Sequence, residues 1–327
     1  MPMEYGSLRG VDKPISRLVQ GTIPLSDEDE AGSFALLDGV YEAGGRAFDT
    51  AHSYGNGMNE TMLGKWIKSR GVRDDVVVLG KCAHPEKGKS KRVTPEDITD
   101  DLHESLQRQQ TDYIDLWVLH RDDEDVPVGP IIETLTAHRR AGKIRAFGAS
   151  NWRTARIQEA NRYAAEHDLE PFSLGSSNFS LAVQIQSPWD GCVSISGPAA
   201  AEERAWYVES GMPNFPWSSL AGGFFSGRFT RDNLDSFDTY LDKLAVTTYY
   251  SEENFQRLDR AKEAAERYGA SVPRIAMAYV MNQPIDTYAL VGCQKASEFV
   301  ENVDGLALKL TQAELDWLDL TSDDRPW

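Results

Sequence analysis

Cysteine is scarce in this chain: Cys82, Cys192 and Cys293 are the only three in 327 residues. None lies in a CxxC pair, so neither a disulfide framework nor a thiolate metal site is expected, and the thiols read as reduced. Histidine is also sparse, with six residues. His52, His84 and His120 share no helix and have no Cys or carboxylate at ligand spacing. His103, His138 and His167 fall on predicted helix surfaces, so no metal centre is expected. Basic charge is in deficit, 34 Lys and Arg against 51 Asp and Glu, for a net charge of -17. Such a surface repels phosphate backbones and anionic lipid headgroups, which argues against nucleic-acid and membrane partners while allowing one local basic groove. No apolar run approaches the ~18 residues needed to span a bilayer. Met1 to Gly21 lacks the apolar core and cleavage pattern of a secretory signal. These absences predict a soluble, cytoplasmic protein.

The remaining composition, 41% hydrophobic and 26% charged, is that of a globular chain long enough for a full core. Strand-like and helix-like stretches alternate throughout. Strands are predicted at Arg17–Gly21, Arg46–Asp49, Val76–Lys81, Tyr113–His120, Ile144–Ser150, Ser173–Ser177, Asn214–Trp217 and Thr287–Val291. Helices are predicted at Asp27–Ala43, Asn59–Ser69, Thr94–Arg108, Pro130–Ala141, Thr154–His167, Ala199–Ser210 and Glu252–Tyr268, with two more from Lys295 and Thr311. Thr94-Pro95-Glu96-Asp97 carries an N-cap, a first-turn proline and acids against the helix dipole.

Eight short buried strands separated by helices imply parallel pairing through right-handed crossovers. A doubly wound nucleotide fold would show GxGxxG after its first strand. The turn here reads Gly21-Thr22-Ile23-Pro24, so a (β/α)8 TIM barrel is expected, as a single domain over residues 1–327. Two long stretches without periodicity, Ala182–Pro198 and Ser218–Tyr250, then become loops at its C-terminal face.

In a barrel all strands end at one rim, where Asp49 and Tyr54, Lys81 and His120 would meet. Taken singly, the lysine could be a snorkelling surface residue, the histidine a satisfied structural group and the aspartate a turn cap. Together they form an acid–base device. Lys81, held by Asp49, is expected to lower the pKa of Tyr54, and His120 to orient a carbonyl oxygen. The group of four contains no nucleophile, and a cofactor hydride would fill that gap.

The motifs Phe48-Asp49-Thr50-Ala51-x-x-Tyr54-Gly55, Asn59-Glu60-x-x-Leu63-Gly64, Gly80-Lys81, Asp115-Leu116-x-x-x-His120 and Gly142-Lys143-Ile144-Arg145-x-x-Gly148-x-Ser150-Asn151 occur in order from about Arg17 to Leu320. They resemble the aldo-keto reductase superfamily. The resemblance implies an eight-fold barrel and metal-free, NAD(P)H-dependent reduction of a small carbonyl compound, with Asp49, Tyr54, Lys81 and His120 as a catalytic tetrad. It further implies that Ser150 and Asn151 hold the nicotinamide carboxamide, although the pair could equally cap the helix at Thr154. Trp217 would stack on the nicotinamide. Ser218, Leu220 and Gly222 would cradle the pyrophosphate.

Gly21 and Thr22 join this cofactor set, with Ser176 where the family usually has glutamine. Gly292, Gln294, Lys295, Glu298 and Asn302 match the adenosine segment. Glu298 would repel a 2′-phosphate and Lys295 attract it, so NADPH is the first expectation and NADH the alternative. Substrate contacts are expected from Ile23 and Pro24, His52, Arg121, Trp152 and Trp189. An Arg121-Asp122 fork with nearby tryptophans would suit a sugar-derived carbonyl, unless the two charges simply pair with each other. A cofactor-sensing module similar to potassium-channel β-subunits is the alternative to an enzyme. Gly88-Lys89-Ser90 echoes the end of a P-loop but lacks its first glycine. The oligomeric state is not legible.

Overall fold

The computed structural model describes residues 3–85 and 91–327; the P-loop echo at 88–90 lies outside them. Among the described residues there are nine strands: β1 Tyr5–Leu8, β2 Val11–Ser16, β3 Leu18–Gly21, β4 Ala47–Asp49, β5 Val77–Cys82, β6 Ile114–Leu119, β7 Ile144–Ser150, β8 Gly175–Ser176 and β9 Ala289–Val291. Seven of them form one parallel sheet in the order β8-β7-β6-β5-β4-β3-β9. The expected strand at Asn214–Trp217 is reduced to parallel bridges from Asn214 to Gly175 and to Thr287. Backbone bonds from Phe215 N to Gly175 O (2.8 Å) and from Tyr288 N to Asn214 O (3.0 Å) carry the ring round to β9. Pro213 and Pro216 bracket this segment, and without N–H groups they cannot complete a regular ladder. The result is a (β/α)8 barrel.

Side chains alternate across a strand, and this period decides what faces inward. Val77 and Leu79 of β5, Leu116 and Val118 of β6, and Ala146 of β7 fill the interior with Val19, Ala47, Leu174, Phe215, Tyr288 and Leu290. Their neighbours Phe48, Val78, Trp117, Leu119, Phe147 and Ala149 pack outward against the helices. Continued along each strand at the same period, the inward set reaches Asp49, Lys81 and His120 one step on and Ser150 two steps on. The parity that builds the core therefore also aims these four polar residues into the mouth.

The helices are α1 Glu30–Glu42, α2 Met58–Arg70, α3 Pro95–Gln109, α4 Val128–Arg140, α5 Thr154–Glu166, α6 Ala201–Ser210, α7 Tyr240–Tyr249, α8 Glu252–Tyr268, α9 Val272–Met281, α10 Ala296–Gly305 and α11 Gln312–Leu318. The capping boxes at Thr94–Asp97 and Thr311–Glu314 are both formed, each contributing about 1 kcal/mol. Three elements were not foreseen. The antiparallel hairpin β1–β2 places Leu8, Val11 and Ile15 in the interior cluster, and Lys13 reaches Asp115 at 2.9 Å. Helix α7 lies within a stretch expected to be loop, and α9 fills the interval before the last strand. No described helix is long and apolar enough to cross a membrane.

Several motif residues are scaffolding. Asp115 accepts from Val78 N (2.9 Å) and pairs with Lys13 and Arg73. Glu60 is fully buried and bonded to Arg108 and Gln109 at 3.1 Å. A Cβ on Gly64 would sit 2.5 Å from the Gln109 backbone, so only glycine lets α2 approach α3 this closely.

Candidate active site

β4, β5 and β6 run side by side in register, Asp49 beside Leu79 and Lys81 beside Val118. Their ends therefore deliver Asp49, Lys81 and His120 to adjacent positions. Tyr54 arrives from the 3-10 turn Tyr54–Gly57, which follows β4; Gly55 and Gly57 take φ of 54° and 90° there, values that favour glycine. The Lys81 Nζ donates to the Asp49 carboxylate and, at 3.1 Å, to the Tyr54 hydroxyl. It also lies 4.8 Å from the Tyr54 ring centroid. The Tyr54 and His120 rings meet edge-on at 5.6 Å.

The electrostatics follow from burial, since Asp49, Lys81 and His120 are all buried. Burial pushes the Tyr54 phenol above its usual value, and the opposing pull of Lys81 does not overcome it. Lys81 lowers the Tyr54 pKa in the expected direction, but burial outweighs it, so the net shift is upward and the phenol keeps its proton at neutral pH. Burial likewise raises Asp49 against the pull of Lys81. For Lys81, burial works against the charge, but the Asp49 carboxylate and the hydrogen-bonded Tyr54 hydroxyl together outweigh it, so its pKa rises and it stays protonated. His120 is driven well below its ordinary range by burial and then by Lys81, Arg121 and His84. It is a neutral imidazole whose Nδ1 is enclosed without a partner.

Ser150, Asn151, Ser176 and Trp217 gather on the next arc of the rim. Ser150 Oγ donates to Ser176 O (2.7 Å), and Asn151 Nδ2 donates to His120 O (3.1 Å). Asn151 Oδ1 accepts from Val193 N and from Trp217 Nε1, both at 3.1 Å. Ser176 Oγ turns to Phe215 O (2.8 Å). Asn151 has φ of 61°, a left-handed conformation that asparagine tolerates.

Beyond Trp217 the backbone becomes irregular. Ser218, Ala221, Gly222 and Gly223 all have positive φ, between 52° and 88°. The Ala221 and Gly223 N–H groups close tight turns onto Ser218 O (2.8 Å) and Leu220 O (3.0 Å), and the glycines allow close backbone approach to a ligand. At the ring's closing end Gly292 is exposed, and nothing lies within 4 Å of where its Cβ would be. Thr22 Oγ1, just past β3, is buried without a partner. An open glycine, a glycine-rich turn and an unsatisfied hydroxyl along one arc fit a dinucleotide.

The adenosine-side residues divide. Lys295 is exposed at the N-cap of α10. Glu298 folds back so that its Oε2 accepts from Gln294 N at 2.8 Å, which puts a carboxylate over a helix N-terminus where an anion would otherwise bind. Asn302 is buried and donates to Cys293 Sγ at 3.4 Å.

The expected substrate residues also divide. Ile23 is 52% exposed, and Trp189 is 38% exposed, 6.1 Å from Trp217 between ring centroids. Trp152 is 1% exposed, packs edge-on to Phe172 at 5.3 Å and donates to Arg121 O; it is core. His52 bonds Glu104 at 2.9 Å and lies 3.4 Å from Asp101, so it faces α3, with the carboxylate neighbours that sequence spacing did not reveal. Asp122 pairs with Arg156 at 3.4 Å, so Arg121 and Asp122 neither form a fork nor pair with each other.

His84, 4.8 Å from the His120 ring, and Tyr240, whose hydroxyl accepts from Trp189 Nε1 at 2.9 Å, were missed as site neighbours. Nothing in their local sequence signals those contacts.

The chain's residues 17–322 match the model of the aldo/keto reductase family, and the chain belongs to that family. It is therefore an NAD(P)H-dependent oxidoreductase. It is 29% identical to "Aldo-keto reductase YhdN" of Bacillus subtilis, covering 90% of this chain and 86% of that protein. It is 28% identical to the "Probable aryl-alcohol dehydrogenase AAD4" of Saccharomyces cerevisiae, over 88% and 86%. It is 27% identical to "Norsolorinic acid reductase stcV" of Emericella nidulans, over 90% and 73%.

Proposed function

We propose that this protein reduces aromatic aldehydes or ketones to alcohols, with Tyr54 as proton donor. The observation that carries the reading is the Lys81 ammonium, bonded at once to the Asp49 carboxylate and the Tyr54 hydroxyl. The bound nicotinamide supplies the hydride. Tyr54 holds a proton at neutral pH and gives it to the forming alkoxide, and Lys81 stabilises the phenolate left behind. Asp49 keeps Lys81 charged and in place. The neutral His120 hydrogen-bonds the carbonyl oxygen without adding a second cation. Ser150, Asn151 and Trp217 would hold the nicotinamide, Ser218, Leu220 and Gly222 the pyrophosphate, and Gly292, Gln294 and Lys295 the adenosine end.

An aromatic substrate is favoured over a sugar for two reasons. The supposed Arg–Asp fork is absent, and Trp189 and Trp217 offer apolar faces at the mouth. The printed names of two relatives, an aryl-alcohol dehydrogenase and a norsolorinic acid reductase, point the same way. NADPH is the proposed cofactor through the exposed Lys295, with measurable NADH use because Glu298 opposes a 2′-phosphate. A spectrophotometric screen of aryl aldehydes, aryl ketones and aldoses with each cofactor tests the whole reading. Tyr54→Phe should bind cofactor as wild type does, by fluorescence quenching, yet lose carbonyl reduction. Full turnover in that variant would overturn the assignment.

A further inference from the structure

Arg121 follows His120 at the end of β6 and is 6% exposed. Its Nε donates to Asp190 O at 3.2 Å, and its Nη1 donates to His120 O at 2.8 Å. Both acceptors are neutral carbonyls. No ion pair involves it among the described residues: Asp122 is taken by Arg156, and Lys81 alone pairs with Asp49. Its Nη2 bonds no protein group and is not among the enclosed unpartnered atoms, so solvent reaches it. A guanidinium removed from water without a counter-ion carries an uncompensated desolvation cost. The planar fork is suited to bidentate recognition of a carboxylate.

Its place in the molecule says which ligand it meets. It is adjacent in sequence to His120, bonded to that residue's carbonyl, and its charge is felt by Tyr54, His120 and His84. The positive-φ turn at Ser218–Gly223 and the open Gly292 belong to the opposite, closing arc of the ring. Asp190 and Gly191, which seat the guanidinium, lie in the same loop as Trp189.

We infer that Arg121 is a specificity-determining residue that binds an anionic substituent on the substrate, so that the preferred substrates are aromatic carbonyl compounds bearing a carboxylate. This rests on the carbonyl-reductase reading above. The ligand's anion would bond the open Nη2 edge while its ring lies against Trp189 and Trp217 and its carbonyl oxygen reaches Tyr54 and His120. The chain's net charge of -17 disfavours anions in general, which makes a local cation at the mouth the more necessary for such a substrate.

The test compares 4-carboxybenzaldehyde with its methyl ester, methyl 4-formylbenzoate, in wild type, Arg121→Met and Arg121→Lys. Wild type should favour the acid in kcat/KM by 10-fold or more, mainly through KM. In Arg121→Met that ratio should collapse to one or below, with Arg121→Lys intermediate. The ratio is insensitive to general damage, since a misfolded loop lowers both rates together. Benzoate titrated calorimetrically into the protein gives a readout without turnover: binding should be detectable in wild type and at least 10-fold weaker in Arg121→Met. A wild-type ratio near one, or an unchanged ratio in Arg121→Met, would sink the inference and leave carbonyl reduction standing. Failure of both compounds to turn over would instead count against the carbonyl-reductase reading itself.

Discussion

The two arcs of the barrel mouth are built on different principles. On the β4–β5–β6 arc, regular parallel strands end in ionisable side chains that satisfy one another: Asp49 with Lys81, and Lys81 with Tyr54. On the arc from Asn214 through Gly223 to Gly292, regular pairing has given way to isolated bridges, left-handed turns and open glycines. The first arc needs a fixed separation between a few charges, and a strand ladder supplies it. The second needs backbone N–H groups and close approach, which a completed ladder would consume. On the proposed reading, proton chemistry would sit on side chains and dinucleotide holding on irregular backbone.

The sharpest way to break this contrast is at the first arc. Tyr54→Phe and Lys81→Met should each lower kcat for aldehyde reduction by about 10²-fold or more, with the Tyr54 variant keeping its fold. In wild type, kcat/KM for reduction should hold through neutral pH and fall only in alkaline solution, as the pH passes Tyr54's raised pKa, because the protonated phenol is the active form. A decline centred near pH 7 would refute the proton-donor role.

The second arc should respond through binding. Gly222 has φ of 61°, and an added Cβ would lie 3.3 Å from Ala245 Cβ. Gly222→Ala should cost about 1–2 kcal/mol of stability and weaken cofactor binding more than it lowers kcat. An unchanged cofactor Kd would remove this turn from the pyrophosphate site. Glu298→Arg should raise the NADPH-to-NADH ratio of kcat/KM by about 10-fold, equivalent to about 1.4 kcal/mol; no change would mean that this position faces elsewhere.

The smallest effect lies between the arcs. Burial, only partly offset by Arg156, pushes the Asp122 carboxyl up to about 6. An acid whose folded pKa is raised binds its proton more tightly when folded. Stability from this group is therefore fully present below its unfolded value near 4 and is lost as pH rises through about 6. Thermal melts should show Asp122→Asn losing that part of the decline between pH 4 and 6. Identical profiles would show that the carboxyl is solvated in solution.

The tetrad was legible because Asp49, Lys81 and His120 each close an apolar run, Tyr54 follows in the turn after Asp49, and all strands of a barrel end at one rim. The capping boxes were legible for the same local reason. The β1–β2 hairpin was not, because Pro14 and Lys13 interrupt its alternation and its value comes from plugging a barrel that does not exist until the strands have closed. Nor was α9, whose run Ile275–Met281 reads equally as strand or helix by hydrophobicity alone. Trp152 and His52 looked like rim residues because they stand beside rim motifs. Packing against Phe172 took one, and Glu104 took the other.

Sequence alone thus determined most of the strand and helix succession, the family, and that Asp49, Lys81 and His120 stand at neighbouring strand ends with Tyr54 in the turn after the first, since these depend on local pattern and order. Tertiary structure decided the rest: a Tyr54 phenol raised by burial despite its ammonium neighbour, the pairing of Asp122 with Arg156, and an Arg121 guanidinium held by backbone carbonyls and without an ion-pair partner among the described residues. Each of these depends on distances between segments far apart in the chain and on the water excluded between them, and neither quantity exists before the barrel closes.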